Sequence, residues 1–184
     1  SAGISQPIIT AAPNEDVLII GFSNIQARLI YSGNDIVPFT FYQINSELGS
    51  ASTFSAVIMD QGIISRGNRG FIITSQQEAQ RIDLDIPDEV FQINLTNNGN
   101  ERFTAIRDYI NEWIYFTYPS NDEDKTVVYP DKTLLYNYRS NSWALFKESY
   151  TTYGQFTPNT GSYTWATIGS VYPIWSEWND PWNS

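Results

Sequence analysis

Two kinds of residue in this 184-residue chain have the types and spacing to do chemistry: closely spaced carboxylates and clustered tryptophans. Asp83, Asp85 and Asp88 alternate through Asp83-Leu84-Asp85-Ile86-Pro87-Asp88-Glu89, and oxygen ligands are what Ca2+ requires. The turn glycine and ligand spacing of an EF-hand are missing, so a solvated acidic loop is the competing reading. Asn121-Asp122-Glu123-Asp124 reads in the same two ways. Glu177 and Asp180 lie among Trp175, Trp178 and Trp182, and paired carboxylates flanking a sugar are the apparatus of glycoside hydrolysis.

Two absences narrow the chemistry. The chain has no His and no Cys. Without them there is no Ser-His-Asp or Cys-His catalysis, no disulfide and no His- or thiolate-ligated metal. A carboxylate pair is the hydrolytic scheme left open. No cofactor motif occurs, so no cofactor is expected, and the expectation is a protein without catalytic activity.

The tryptophan-rich segment 165–182 is the most unusual feature. Trp and Tyr can plug a domain, anchor a protein partner or stack on sugars. Trp165, Tyr172, Trp175, Trp178 and Trp182 are taken as candidate protein-interface residues. Segment 157–165 resembles the Asp-box hairpin of sialidase-like propellers, with Asn159 in place of the acid and one extra residue before Thr164-Trp165. That box is a fold element, not a catalytic one.

Twenty acids against ten bases give a net charge of −10, and only 16% of residues are charged. No basic patch is available to neutralise a run of phosphates, so tight nucleic-acid binding is not expected. An anionic membrane surface is disfavoured for the same reason. No apolar run approaches the length that spans a bilayer. The first residues lack a charged start and an apolar core, so no signal peptide is expected. There is no initiator Met, and a chain processed or cut from something longer is expected.

The elements that must carry these residues read as β. Aromatics are 15% of the chain, alongside abundant Asn, Ser and Thr, a strand-and-turn composition. Residues 1–16 read as a lead-in. Short β-branched or aromatic runs follow at 17–22, 27–31 and 39–44. The pattern restarts at 54–59, 63–66 and 71–74, with Gly67-Asn68-Arg69-Gly70 as a turn. Ser75-Gln76-Gln77-Glu78 has capping-box spacing with about one helical turn behind it. Segments 80–82 and 90–93 follow. A third restart gives strands from 103 and over 113–118 about a turn at 109–112, then 132–138 and 143–146 about a turn at 139–142.

Three stretches, 17–49, 54–95 and 103–150, thus each hold several short strands. Their spacing predicts an all-β fold of antiparallel meanders forming propeller-like blades. An irregular β-sandwich is the alternative. Residues 17–184 are expected to be one domain of about three blades plus an incomplete Trp-rich unit, a fragment of a longer protein. Phe39, Phe41, Phe71, Trp113, Phe116, Tyr136, Tyr138 and Trp143 are the expected buried aromatics.

Three blocks, in order, carry a family resemblance. They are Phe39-Thr40-Phe41-Tyr42-Gln43-Ile44 with Leu48-Gly49, then Gly67-Asn68-Arg69-Gly70-Phe71, then Leu134-Leu135-Tyr136-Asn137-Tyr138-Arg139-Ser140-Asn141-Ser142-Trp143. Together they resemble the β-propeller structural proteins of tailed-phage tails and head-to-tail connectors, including portal-plugging stabilisation proteins and tail nozzle subunits. Ser140 stands where the family more often has Thr, and family members are several times longer. The resemblance implies a non-enzymatic virion protein, a homo-oligomeric ring around the DNA channel. Its implied partners are other tail and portal proteins, with DNA passing nearby without tight binding and no membrane. The competing function is a carbohydrate-binding module or a sialidase-like glycosidase fragment.

Overall fold

The computed structural model of the chain describes residues 5–94, 96–121 and 129–156. The chain divides into two compact units, residues 1–153 and 154–184. All the strands described lie in the first unit.

The first unit is all-β and consists of three four-stranded antiparallel meanders. The first sheet holds β1 (Ile8–Asn14), β2 (Val17–Phe22), β3 (Gln26–Tyr31) and β4 (Phe39–Asn45). The second holds β5 (Val57–Met59), β6 (Gly62–Arg66), β7 (Phe71–Thr74) and β8 (Ala79–Arg81). The third holds β9 (Thr104–Asp108), β10 (Trp113–Tyr118), β11 (Lys132–Asn137) and β12 (Ser142–Phe146). In every sheet the strands lie side by side in chain order. The first strands neighbour one another, β1 against β5 and β5 against β9. Blades of a propeller have this form, with one strand of each sheet toward a common axis.

Alternation along the strands sets which sheets pack. On β10, Ile114, Phe116 and Tyr118 share one face, opposite Tyr136, Leu134 and Lys132 of β11. That face meets Val57, Met59, Ile64 and Phe71 of the second sheet to form the largest core. Phe71 and Phe116 are fully buried, with ring centroids 4.5 Å apart. Each such side chain contributes roughly 1.5–3 kcal/mol by leaving water. A second core joins Ala12, Val17 and Ile19 of the first sheet to Ile63. The other face of the first sheet carries Ile20, Phe22 and Ala27, with Leu18, Leu29 and Phe41 packed against them.

The structure corrects several expectations. Residues 8–14 of the lead-in form β1, an edge strand of its sheet that tolerates Pro13 because an edge position leaves the missing N–H unneeded. Segment 90–93 is not a strand; Pro87–Phe91 is a short helix, α1, with Pro at its start, Asp88 and Glu89 in its first turn and Val90 buried. At Ser75–Glu78 the capping-box spacing leads no helix, in line with the single turn behind it: the segment is the turn between β7 and β8, with the Ser75 hydroxyl accepting the N–H groups of Gln77 and Glu78. Residues 53–55 at the start of the run 54–59 form a 3-10 turn ahead of β5. Among the expected core aromatics, Phe71, Phe116 and Tyr136 are buried. Phe41, Trp113, Tyr138 and Trp143 are partly buried. Phe39 is exposed, because it sits on the outermost strand of its sheet.

Candidate interaction surfaces

The three candidate calcium ligands are not gathered around one point open to an ion. Asp83 is fully buried, and its carboxylate is engaged within the fold. One oxygen accepts the Phe71 N–H at 3.0 Å and the other takes Arg81 Nε at 2.9 Å. Gly70, at φ +146°, lies so close that a β-carbon there would overlap that carboxylate. Asp83 therefore braces the β6–β7 hairpin. Asp85 is exposed in the following turn and Asp88 is exposed in the first turn of α1. Among the described residues no group of three or more acidic side chains is arranged to hold a metal.

Two of the blocks that carry the resemblance meet in space. Gly49 N–H donates to Asn68 Oδ1 at 3.1 Å, and Asn68 N–H donates to the Gly49 carbonyl at 3.1 Å. The Asn68 amide also donates to the Glu47 carbonyl. A β-carbon on Gly49 would strike the Ser23 backbone, so the segment leaving β4 can lie against the β2–β3 turn only with glycine there. In the third block, Asn137 Oδ1 accepts the N–H groups of Arg139 and Ser140, and Tyr136 donates its hydroxyl proton to Asn141 Oδ1 at 2.7 Å. These residues build turns and inter-sheet locks.

The meander topology puts six hairpin turns at one end of the strands, those that follow the first and third strands of each sheet. Side chains bridge them between sheets. Gln76 Nε2 donates to Glu15 Oε2 at 3.0 Å, and Arg107 Nη1 reaches Asp60 at 3.4 Å. Arg107 also lies over the rings of Tyr109 and Tyr138, at 4.5 and 5.1 Å. Burial pulls its pKa down, but hydrogen bonds to Tyr138 and Asp60 outweigh that and the net direction is up. Glu15, Asp16, Asp35, Asp60, Glu78, Asp108 and Glu112 all sit in or beside these turns, making this rim acidic.

Two of the turns present an isoleucine almost fully to solvent: Ile36 at 90% exposure and Ile110 at 92%. Both are held by the same local device. Asn34 Oδ1 accepts the Ile36 and Val37 N–H groups, and Asp108 Oδ1 accepts those of Ile110 and Asn111. The β3–β4 tip is pinned further by Ser32, whose N–H donates to the Pro38 carbonyl and whose hydroxyl donates to the Val37 carbonyl. At its base the exposed rings of Tyr31 and Phe39 meet edge to face, 5.7 Å apart. A rigid, exposed apolar tip of this kind suits docking, since little ordering entropy remains to be lost on binding.

At the opposite end of the strands lies a groove of about 400 Å³, lined by Phe54, Arg102, Thr104, Tyr129, Pro130 and Thr151. Phe54 and Tyr129 form exposed aromatic lips. A second groove of about 400 Å³ runs between the outer parts of the second and third sheets, where Gln61, Gln80 and Asn141 supply amides beside Ile73 and Tyr136.

The candidate interface residues Trp165, Tyr172, Trp175, Trp178 and Trp182 lie outside the described residues, as do Glu177, Asp180 and the Asp-box-like segment. The isoleucine tips were missed in the sequence. Their signal is the spacing Asn34-x-Ile36 and Asp108-x-Ile110, in which a turn-forming side chain precedes an apolar residue by two. The described chain is thus an all-β protein of blade-like meanders with an acidic rim. No protein-family model and no curated protein matches the sequence.

Proposed function

We propose that this chain is a non-enzymatic structural component of a phage virion, a part of the tail or head-to-tail connector that assembles as a ring around the DNA channel. The observation that carries this reading is the agreement between the three resembling blocks and their structural work. Gly49 and Asn68 lock two meanders together, and the Asn137–Trp143 hairpin closes a third. The acidic rim supports it, because a wall of carboxylates repels phosphates and lets a duplex pass without adhering. The partners in this reading are other tail and portal proteins, and no membrane is involved. Sedimentation equilibrium tests the assembly, with a defined homo-oligomer expected. Tight, salt-sensitive binding of duplex DNA at physiological ionic strength would overturn the electrostatic part.

A carbohydrate-binding module is the second reading. The amide-lined groove at Gln61, Gln80 and Asn141 favours it, because sugar hydroxyls are recognised by such groups. A glycan array separates the two: reproducible binding abolished by Gln80→Ala would favour the second.

A further inference from the structure

We propose that β4 is a docking edge, and that its occupant is β4 of a second copy of this chain, paired antiparallel about a two-fold axis. The pairing extends the first sheet across two copies and does not depend on the ring proposed above. β4 is the outer strand of the first sheet, and among the described residues no strand pairs with its open side. The turn before it fixes which backbone groups are free. Ser32 N–H donates to the Pro38 carbonyl, so by alternation Thr40 and Tyr42 turn their backbone groups toward Ile30 and Arg28 of β3. The backbone groups of Phe39, Phe41 and Gln43 therefore face outward.

A free ladder of this kind is a template for another strand, and natural sheets blunt it with charge, proline or shortness. The other edges in the described chain carry such devices. β1 holds Pro13, β5 and β8 have three residues each, and β8 ends in Arg81. β9 holds Arg107 and Asp108, and β12 runs into Lys147 and Glu148. β4 has seven residues with no charge, proline or glycine, and Phe39, Tyr42 and Gln43 are exposed along it.

Pattern and charge select a second copy. Centred on Phe41, an antiparallel pair sets Phe39 opposite Gln43 of the other copy and Thr40 opposite its Tyr42, and each bonded pair exchanges both ladder bonds. A net charge of −10 makes two copies repel unless their contact is poor in unpaired acids. The charges flanking β4 are Asp35 before it and the ion pair of Glu47 with Arg69 after it. Antiparallel pairing brings Asp35 of one copy to the end where Arg69 lies in the other, whereas parallel pairing would set Asp35 against Asp35. The contact is isologous and closes at two copies, so a larger assembly would be built from pairs.

The absence of cysteine makes the register readable by cross-linking. Two single variants, Phe39→Cys and Gln43→Cys, both at exposed positions, are mixed under mild oxidation and run on a non-reducing gel. Bonded residues opposite one another lie about 5.5 Å apart at Cα, within disulfide reach. The mixture should give severalfold more linked dimer than either variant alone. Sedimentation velocity is the second readout, on the native chain at about 100 µM, where even weak contacts are populated. Gln43→Pro removes an outward N–H and no bond of its own sheet, which an edge strand accepts. It should weaken association roughly tenfold or more with circular dichroism unchanged, while Gln43→Thr should match the native chain. If the proline variant misfolds, the cross-linking decides. A native dimer that grows no further supports this contact and overturns the ring. Equal assembly of the native and proline chains, or linkage no greater in the mixture than in the single variants, overturns this contact and leaves the ring standing. A native chain that stays monomeric overturns both.

Discussion

The carboxylate of Asp83 sits 3.0 Å from the backbone nitrogen of Phe71 and fills the space left by the absent side chain of Gly70. The same carboxylate holds Arg81 Nε at 2.9 Å. A buried acid thus joins the end of β8 to the start of β7 beneath the largest core. Asp83→Ala should cost about 3 kcal/mol in a urea melt, because it removes two charge-assisted bonds and strands a buried N–H. Asp83→Asn keeps the acceptor and should cost less. Gly70→Ala should be strongly destabilising and less than additive with Asp83→Ala, since the alanine collides with the group the second change removes. Full additivity would show that the two residues do not share this space.

Trp143 lies tilted against Tyr136 at 4.4 Å and against Phe71 at 5.4 Å, yet it is only partly buried. Its indole nitrogen has no hydrogen-bond partner among the described residues. Trp143→Ala should therefore cost about 2 kcal/mol, below the range for a fully buried ring. Trp143→Phe, which keeps an aromatic face and removes the unpaired N–H, should cost less than half of that. An equal loss for the two variants would mean that ring contact contributes little.

Asp108 has its pKa held below the ordinary 3.8, first by the Asn111 side-chain amide; burial opposes this, and the Asn111 and Ile110 N–H groups add to it. A carboxylate with a lowered folded-state pKa contributes stability that is complete above its unfolded value and lost as pH falls through the folded value. The β9–β10 turn should therefore loosen at the acid end, below about pH 4. Asp108→Asn keeps the Oδ1 acceptor and should flatten that acid limb while leaving the turn closed at neutral pH. Amide exchange of Ile110 and Asn111 against pH reads this directly. An unchanged acid limb in the variant would remove Asp108 as its source.

Arg66 is buried, its pKa is lowered by desolvation, and its Nε has no hydrogen-bond partner among the described residues. A buried cation so weakly compensated is a cost rather than a brace. Arg66→Met should leave stability unchanged or raise it by about 1 kcal/mol. A loss above about 2 kcal/mol in thermal or urea unfolding would reveal a strong partner for the guanidinium.

The three meanders were legible because most strands are short β-branched or aromatic runs and the hairpins carry turn signals, as at Gly67–Gly70 and 109–112. Strand β1 was hidden by its Ala and Pro content. Its Ala11, Ala12, Pro13 and Asn14 have little β preference, and tertiary pairing with Ile19 and Ile20 outweighs that. Helix α1 was hidden because Val90-Phe91-Gln92-Ile93 has strand composition, while the start signal Pro87-Asp88-Glu89 lies in the segment read as an acidic loop. Asp83 was singled out for its charge, but its partners, Phe71 and Gly70, come from the preceding hairpin, which spacing alone does not bring near. Phe39 was expected inside because periodicity identifies a face of a strand and not whether that face is covered.

Electron microscopy of the full chain tests the structural reading most directly. Class averages of the purified protein at neutral pH and moderate salt should show closed rings with a central opening, built from repeated blade-shaped subunits. Isolated single subunits under all conditions, with no ring or stacked class, would contradict it.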